Sequence, residues 1–340
     1  MRRAVAVGSR CGKWASKAAP DQRPAGSALR AIIAAGSPYL TPNYSSYKGC
    51  SESVLKRNGH SNTAYLPLMS RLSLALRALR SLARTPSLLN HVVAGDVADW
   101  QRRALAHAGR QLTAQGLPLV PLAHFLSPAD TTVRPFAFRE GGSLPTDLLL
   151  LRALARRVPG CRYFEIGTWR GESAANVAEV AAEVFTLNLS DEEIRALGLP
   201  ERYIALHGFF SKPLPNVRHL HGNSASYDFA ALGGPFDVVF IDGDHRYEVV
   251  RTDTARVFEH LVGPDTVVVW HDASRQPGEP RWEVLAGLLD GLPTAAPGQL
   301  VQVENTLCAL YSPVPVPTQA PDPLADPATW FEVALRPVGK

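Results

Sequence analysis

The chain has 340 residues, 46% of them hydrophobic, and a formal net charge of +4. That length gives one large domain or two small ones with a sizeable core, and no run of about 18 apolar residues marks a transmembrane helix. The four cysteines (Cys11, Cys50, Cys161 and Cys308) have neither metal-ligand nor disulfide-framework spacing, which points to core thiols at Cys161 and Cys308 and to a reducing, cytoplasmic setting.

The charge is uneven. Residues 1–87 hold 14 Lys/Arg against 2 Asp/Glu, so the rest of the chain is net negative. A basic arm can bind nucleic acid or an anionic membrane. Residues 1–66, however, are rich in Ser, Gly and Pro without sustained periodicity. They read as a poorly ordered extension, with no nucleic-acid partner and no secretory signal. Residues 67–142 read as a helical region. Leu68, Leu72, Ala75, Leu79 and Leu82 recur at helical spacing, with Arg77, Arg80 and Arg84 opposite. Such a face lies on a membrane surface or, more commonly, docks on its own domain or on a second copy, which would make a homo-oligomer. A second helix is predicted over Val97–Gln115, and 118–142 reads as an irregular connection.

Residues 143–312 alternate between strand and helix patterns. Pro145 and Asp147 suit the first turn of a helix that runs to Val158. Strands are predicted over Tyr163–Gly167, Val184–Leu189, Asn216–His221, Asp237–Ile241 and Thr266–Trp270. Helices are predicted over Gly171–Glu183, Tyr247–Val262 and Arg281–Leu289. Leu300–Glu304 and Leu307–Tyr311 form a closing pair. This alternation predicts an α/β, Rossmann-like, mostly parallel sheet with helices on both faces and an antiparallel final strand. Residues 313–340 are a proline-rich tail with a short docking helix at Ala328–Leu335.

Three segments carry chemistry. CRYFEIGTWRGES (161–173) is a strand that enters a glycine turn and then a helix, a shape that lets a cofactor approach the backbone. FDVVFIDGDH (236–245) and TVVVWHDAS (266–274) are strands that deliver acids and histidines at their C-terminal ends, the edge where open α/β sheets bind ligands. The absence of G-x-G-x-x-G argues against a nicotinamide dehydrogenase.

With Glu165, Gly167 and Gly171 in this order, the first segment resembles the first motif of class I S-adenosylmethionine (SAM)-dependent methyltransferases. Together the three segments resemble the small-molecule O-methyltransferases of that superfamily, the macrolide O-methyltransferase and cephalosporin hydroxylase-like group. The resemblance implies SAM as cofactor, held by Glu165, Gly167, Thr168, Gly171, Ser173, Asn188, Asn223, Ser224 and Asp242. It also implies a small-molecule acceptor hydroxyl on a sugar, polyketide or phenolic compound, and His245 as general base, with Asp244 as the alternative. A divalent cation, Mg²⁺ or another, would sit on Asp242, His271 and Asp272, or on the two aspartates alone. The bland alternative is that these aspartates only cap the following helices. Two positions depart from the superfamily: Asn188 replaces the acid that binds the ribose, with Asp191 as a possible substitute, and Asn223 replaces the acid beside adenine. They leave open a non-catalytic SAM-fold protein serving in binding or assembly; a cephalosporin hydroxylase-like enzyme is the other alternative.

Overall fold

The structure, a computed structural model, describes residues 79–80, 97–107, 111–130, 132–294, 296–322 and 329–338. The basic extension, Cys11, Cys50 and nearly all of the Leu68–Leu82 face lie outside the described residues. Of that face only Leu79, with its neighbour Arg80, is described, in helical conformation and exposed. No helix among the described residues is long and apolar enough to cross a membrane.

The helices are α1 (Val97–Leu105), α2 (Pro145–Arg156), α3 (Glu172–Ala178), α4 (Asp191–Ala196), α5 (Glu201–Ile204), α6 (Tyr247–His260) and α7 (Trp282–Gly291). The strands are β1 (Leu119–Val120), β2 (Arg162–Ile166), β3 (Glu183–Asn188), β4 (Val217–His221), β5 (Phe236–Ile241), β6 (Val262–Trp270), β7 (Ser274–Gln276), β8 (Glu279–Pro280), β9 (Gln299–Val303) and β10 (Ala309–Ser312). Eight strands form one sheet in the order β1-β9-β10-β6-β5-β2-β3-β4, and β7 and β8 form a separate hairpin. In the eight-stranded sheet, among the described residues, only β10 runs antiparallel to its neighbours, β6 and β9. The expected parallel sheet with an antiparallel final strand is what the chain forms.

The differences from the expected elements have local reasons. The predicted helix over Val97–Gln115 stops at Leu105, and Thr113 then bridges to Gly116 in a tight turn. The connection over 118–142 contains β1, which pairs in parallel with β9 as an eighth strand; two residues are too short to show a period. The loop after β3 holds the short helices α4 and α5, the first opened by a Ser190/Glu193 capping box. Within 329–335 no helix forms.

Alternation along the central strands splits the core in two. Phe164, Ile166, Val239, Ile241, Val268 and Trp270 pack under α6 and α7. Tyr163, Val184, Val238, Phe240 and Val269 pack on the opposite face with Leu150, Leu151 and Leu154 of α2 and Ala174 and Val177 of α3. Cys161 and Cys308 are buried free thiols, as expected. Helix α1 docks on α6 and α7. Trp100 stacks on Tyr247 at 4.9 Å between centroids, and Asp290 takes Arg103, His107 and the Tyr247 hydroxyl.

Register sets up the site. Ile166 pairs with Ile241, and Ile241 pairs with Trp270. The ladder then extends one residue past each strand: Asp242 N–H bonds the Ile166 carbonyl and His271 N–H bonds the Ile241 carbonyl. Gly167, Asp242 and His271 therefore emerge side by side although about 100 residues separate the first from the last.

Candidate active site

The glycine loop after β2 is tight for reasons internal to the protein. Gly167 has φ +100°, and a Cβ there would overlap the Asp242 carbonyl oxygen and lie 2.5 Å from its carbon. Gly171, at φ +76° before α3, would drive a Cβ into the Ser211 side chain. Gly208 and Phe210, in the long β3–β4 connection, donate N–H bonds to the Trp169 and Arg170 carbonyls. Trp169 itself takes a left-handed φ of +41° and packs on Tyr203, 4.5 Å between centroids. Nothing in the sequence marked that brace.

Glu165 lies on the α2/α3 face, and both its oxygens are engaged inside the protein. Register pairs Glu165 with Thr186, whose hydroxyl donates to Oε1 at 2.8 Å. Tyr163, two residues back on the same face, donates to Oε2 at 2.9 Å. Burial pushes the Glu165 carboxyl up to about 7, against the pull of hydrogen bonds from Thr186, Ser173 and Tyr163. Thr168 is buried and shares a 2.5 Å hydroxyl contact with Thr186. Glu165, Thr168 and Ser173 thus form one buried network beneath the loop, with none of the Glu165 surface exposed to reach a ligand directly.

Asn188 ends β3, half-buried, and its Nδ2 donates to the Leu189 carbonyl at 3.1 Å. Asp191 begins α4 and is exposed. Asn223 is exposed, and its Oδ1 already accepts the Ala225 N–H at 2.9 Å. That bond takes one of the oxygen's two lone pairs. The Ser224 side chain faces the buried Asp253, whose carboxyl burial pushes up to about 6.

The C-terminal ends of β5 and β6 hold the titratable cluster. Asp242, Asp244, His245, Trp270, His271 and Asp272 contribute to the lining of a small cavity of about 30 Å³. That is room for an ion or about two waters. His271 is buried. Its Nδ1 lies 3.1 Å from Asp242 Oδ1 and 3.6 Å from Asp272 Oδ2, yet among the described residues it has no partner with hydrogen-bond alignment. Its Nε2 faces Asp147 Oδ2 at 3.0 Å. Burial alone would lower the His271 pKa, but Asp242 and Asp147 outweigh it and hold it well above the ordinary value. Burial raises Asp242, while His271 opposes the shift. Asp272 is pulled below the carboxylate range, since His271 and Arg281, the latter 3.4 Å from Oδ1, overcome its burial. Asp272 also sits at a left-handed φ of +56°, a conformation an aspartate tolerates but does not prefer.

A cation fits this donor set. One atom each from Asp242, His271 and Asp272 lies within 4.8 Å of the others. Ligands at 2.0–2.3 Å from one ion span up to about 4.5 Å, so a shift of a few tenths of an ångström brings the three atoms within reach of one ion. His271 Nδ1, buried and facing both aspartates, supplies the third donor once it gives up its proton.

His245 is exposed beside the cluster, with Nδ1 4.0 Å from Asp272 Oδ2. Asp244 is committed elsewhere: it takes the Arg246 backbone N–H and two guanidinium bonds at 2.6 and 2.8 Å. It is therefore a poor alternative base. Neither Asp147 nor Arg281 was singled out as a site residue from the sequence. Both lie far from their partners along the chain.

Residues 164–273 match a family model described as a methyltransferase domain. No curated protein matches significantly. Among solved structures, the chain is similar to an SAH-bound methyltransferase of Podospora anserina, with 15% identity, 68% of this chain and 95% of that chain covered, and a TM-score of 0.36. It is also similar to a putative caffeoyl-CoA O-methyltransferase of Staphylococcus aureus, again with 15% identity, 52% and 85% covered, and a TM-score of 0.35. The family match over residues 164–273 lies within the mostly parallel sheet with one antiparallel strand, and these residues are similar to a methyltransferase domain.

Proposed function

We propose that the chain transfers the SAM methyl group to a hydroxyl of a small molecule, with a divalent cation on Asp242, His271 and Asp272 and with His245 as general base. The observation that carries this reading is the convergence of those three donor atoms at adjoining strand ends, with His245 at their rim. When bound, SAM supplies an electrophilic methyl carbon, and the cation supplies charge that favours the deprotonated acceptor. Asn188 would hold a ribose hydroxyl through its Oδ1, and Asn223 would offer its amide N–H groups toward adenine. The buried Glu165–Thr168–Ser173 network would keep the glycine loop in shape. His245 takes the proton from the acceptor hydroxyl as that oxygen bonds to the methyl carbon and the carbon–sulfur bond breaks. Ligation at His271 requires Nδ1 to give up its proton.

The test is Asp242→Asn beside EDTA treatment of the parent. Both are expected to abolish cation binding in calorimetry and to cut turnover, screened with SAM on a panel of hydroxylated metabolites. Full activity in EDTA would overturn the cation and leave the charge-neutralising role to a protonated His271. SAM binding without transfer to any hydroxyl would favour a non-catalytic protein.

A second expectation concerns Asn188. Asn188→Asp replaces one neutral acceptor with a charged one for two ribose hydroxyls. Charge-assisted bonds are worth roughly 1.5–3 kcal/mol, while the bond to the Leu189 carbonyl is lost. A several-fold gain in SAM affinity by calorimetry is the expected net result. Unchanged or weaker binding would remove Asn188 from the ribose.

A further inference from the structure

We propose that Asp147 is a positioning residue for the cation site, holding His271 in the tautomer whose Nδ1 faces the two aspartates. The proposal rests on the cation reading above and extends it to a residue 124 positions upstream of His271. Asp147 is the third residue of α2, and none of its surface is exposed. Its Oδ2 accepts the Leu144 N–H at 2.6 Å and faces His271 Nε2 at 3.0 Å. Its Oδ1 accepts the Leu307 N–H at 2.8 Å, with Cys308 Sγ at 3.6 Å. The carboxyl is thus pinned by the start of α2 and by the β9–β10 turn, and it presents an acceptor to the end of β6. A helix cap needs only the bond to Leu144. The other contacts make this group a fixed acceptor for one ring nitrogen.

The consequence follows from imidazole chemistry. A carboxylate that takes backbone N–H groups accepts from Nε2 as well, so Nε2 carries the proton. Once His271 gives up its second proton, Nδ1 is the nitrogen with a lone pair to give, and it faces Asp242 at 3.1 Å and Asp272 at 3.6 Å. Phe240 packs edge-on against the ring, 5.9 Å between centroids, and limits its rotation. A histidine ligand whose other nitrogen is held by a carboxylate is better oriented and more basic. It also sets ion preference: two oxygens and one nitrogen favour Mn²⁺ or Zn²⁺, whereas the oxygens alone suit Mg²⁺.

Calorimetric titration with Mn²⁺ and with Mg²⁺ tests this on the full chain, in the parent, Asp147→Asn, His271→Gln and the double variant. The parent is expected to bind Mn²⁺ more tightly than Mg²⁺. Asp147→Asn is expected to weaken Mn²⁺ by about 10–100-fold and Mg²⁺ far less, and to add nothing in the His271→Gln background. If the parent binds neither ion, the cation reading itself fails. If the parent binds Mn²⁺ and Asp147→Asn binds it equally well, only the role of Asp147 fails. A further loss in the double variant would show that Asp147 acts through stability alone, and would also overturn its role. Should Asp147→Asn not fold, nitrogen-15 NMR of the unmutated protein loaded with Zn²⁺ decides. His271 is expected to carry its proton on Nε2 with Nδ1 bound; the reverse tautomer, or a proton on both nitrogens, overturns the proposal.

Discussion

Replacing His245 with glutamine is expected to lower methyl transfer by a factor on the order of 10²–10⁴, the usual contribution of a positioned general base. SAM and cation affinities should stay at parent values, because His245 lies at the rim of the cluster with its nearest carboxylate oxygen at 4.0 Å. The side chain is exposed, so no packing is lost and the melting temperature should not move. Single-turnover rates with enzyme in excess, compared with calorimetric binding constants, separate the two effects. Parent-like rates would remove His245 as base. Asp244 would not inherit the role readily, since Arg246 already occupies its carboxyl.

Gly167→Val is expected to do more than block a cofactor. The added Cβ meets the Asp242 carbonyl, which is held in place by the bond from Asp242 N–H to the Ile166 carbonyl. A backbone atom cannot swing aside as a side-chain tip can. Overpacking costs about 1–3 kcal/mol, and a β-branched residue at φ +100° adds strain of similar size. The total is a large share of a typical folding free energy of about 5–15 kcal/mol. Urea midpoints should fall and SAM binding should vanish together. A variant with an unchanged midpoint that loses only SAM would show instead that the glycine serves the ligand. The simplest sequence expectation, loss of SAM with an intact fold, takes the loop for open space where the structure puts the next strand end.

The two predictions also mark where sequence reading reached its limit. The order of the three motifs carried the resemblance to methyltransferases, and alternating strand and helix patterns were enough for the fold. Local rules fix those features: apolar strands of period two, glycine turns, and parallel strands that need helical crossovers. They also brought Asp242, His271 and Asp272 onto one list, because residues just past parallel strands share an edge. Strand β1 and helices α4 and α5 escaped because each is too short for a period to emerge.

What only the tertiary structure decided is where each polar atom points. Asn223 resembles a free acceptor in sequence, yet its oxygen closes a local turn. Asp244 is as acidic as Asp242, but an arginine two residues away claims it. Glu165 sits in the cofactor motif and still spends both oxygens on Thr186 and Tyr163, a pairing set by the register of β2 on β3. Asp147 reads as an ordinary first-turn acid of α2, and its facing of His271 depends on how that helix lies across the sheet. The sequence by itself determined which residues reach the sheet's C-terminal edge, because backbone pairing depends on local pattern. The tertiary structure alone determined which of them remain available, because hydrogen bonds between distant segments exist only once those segments are packed.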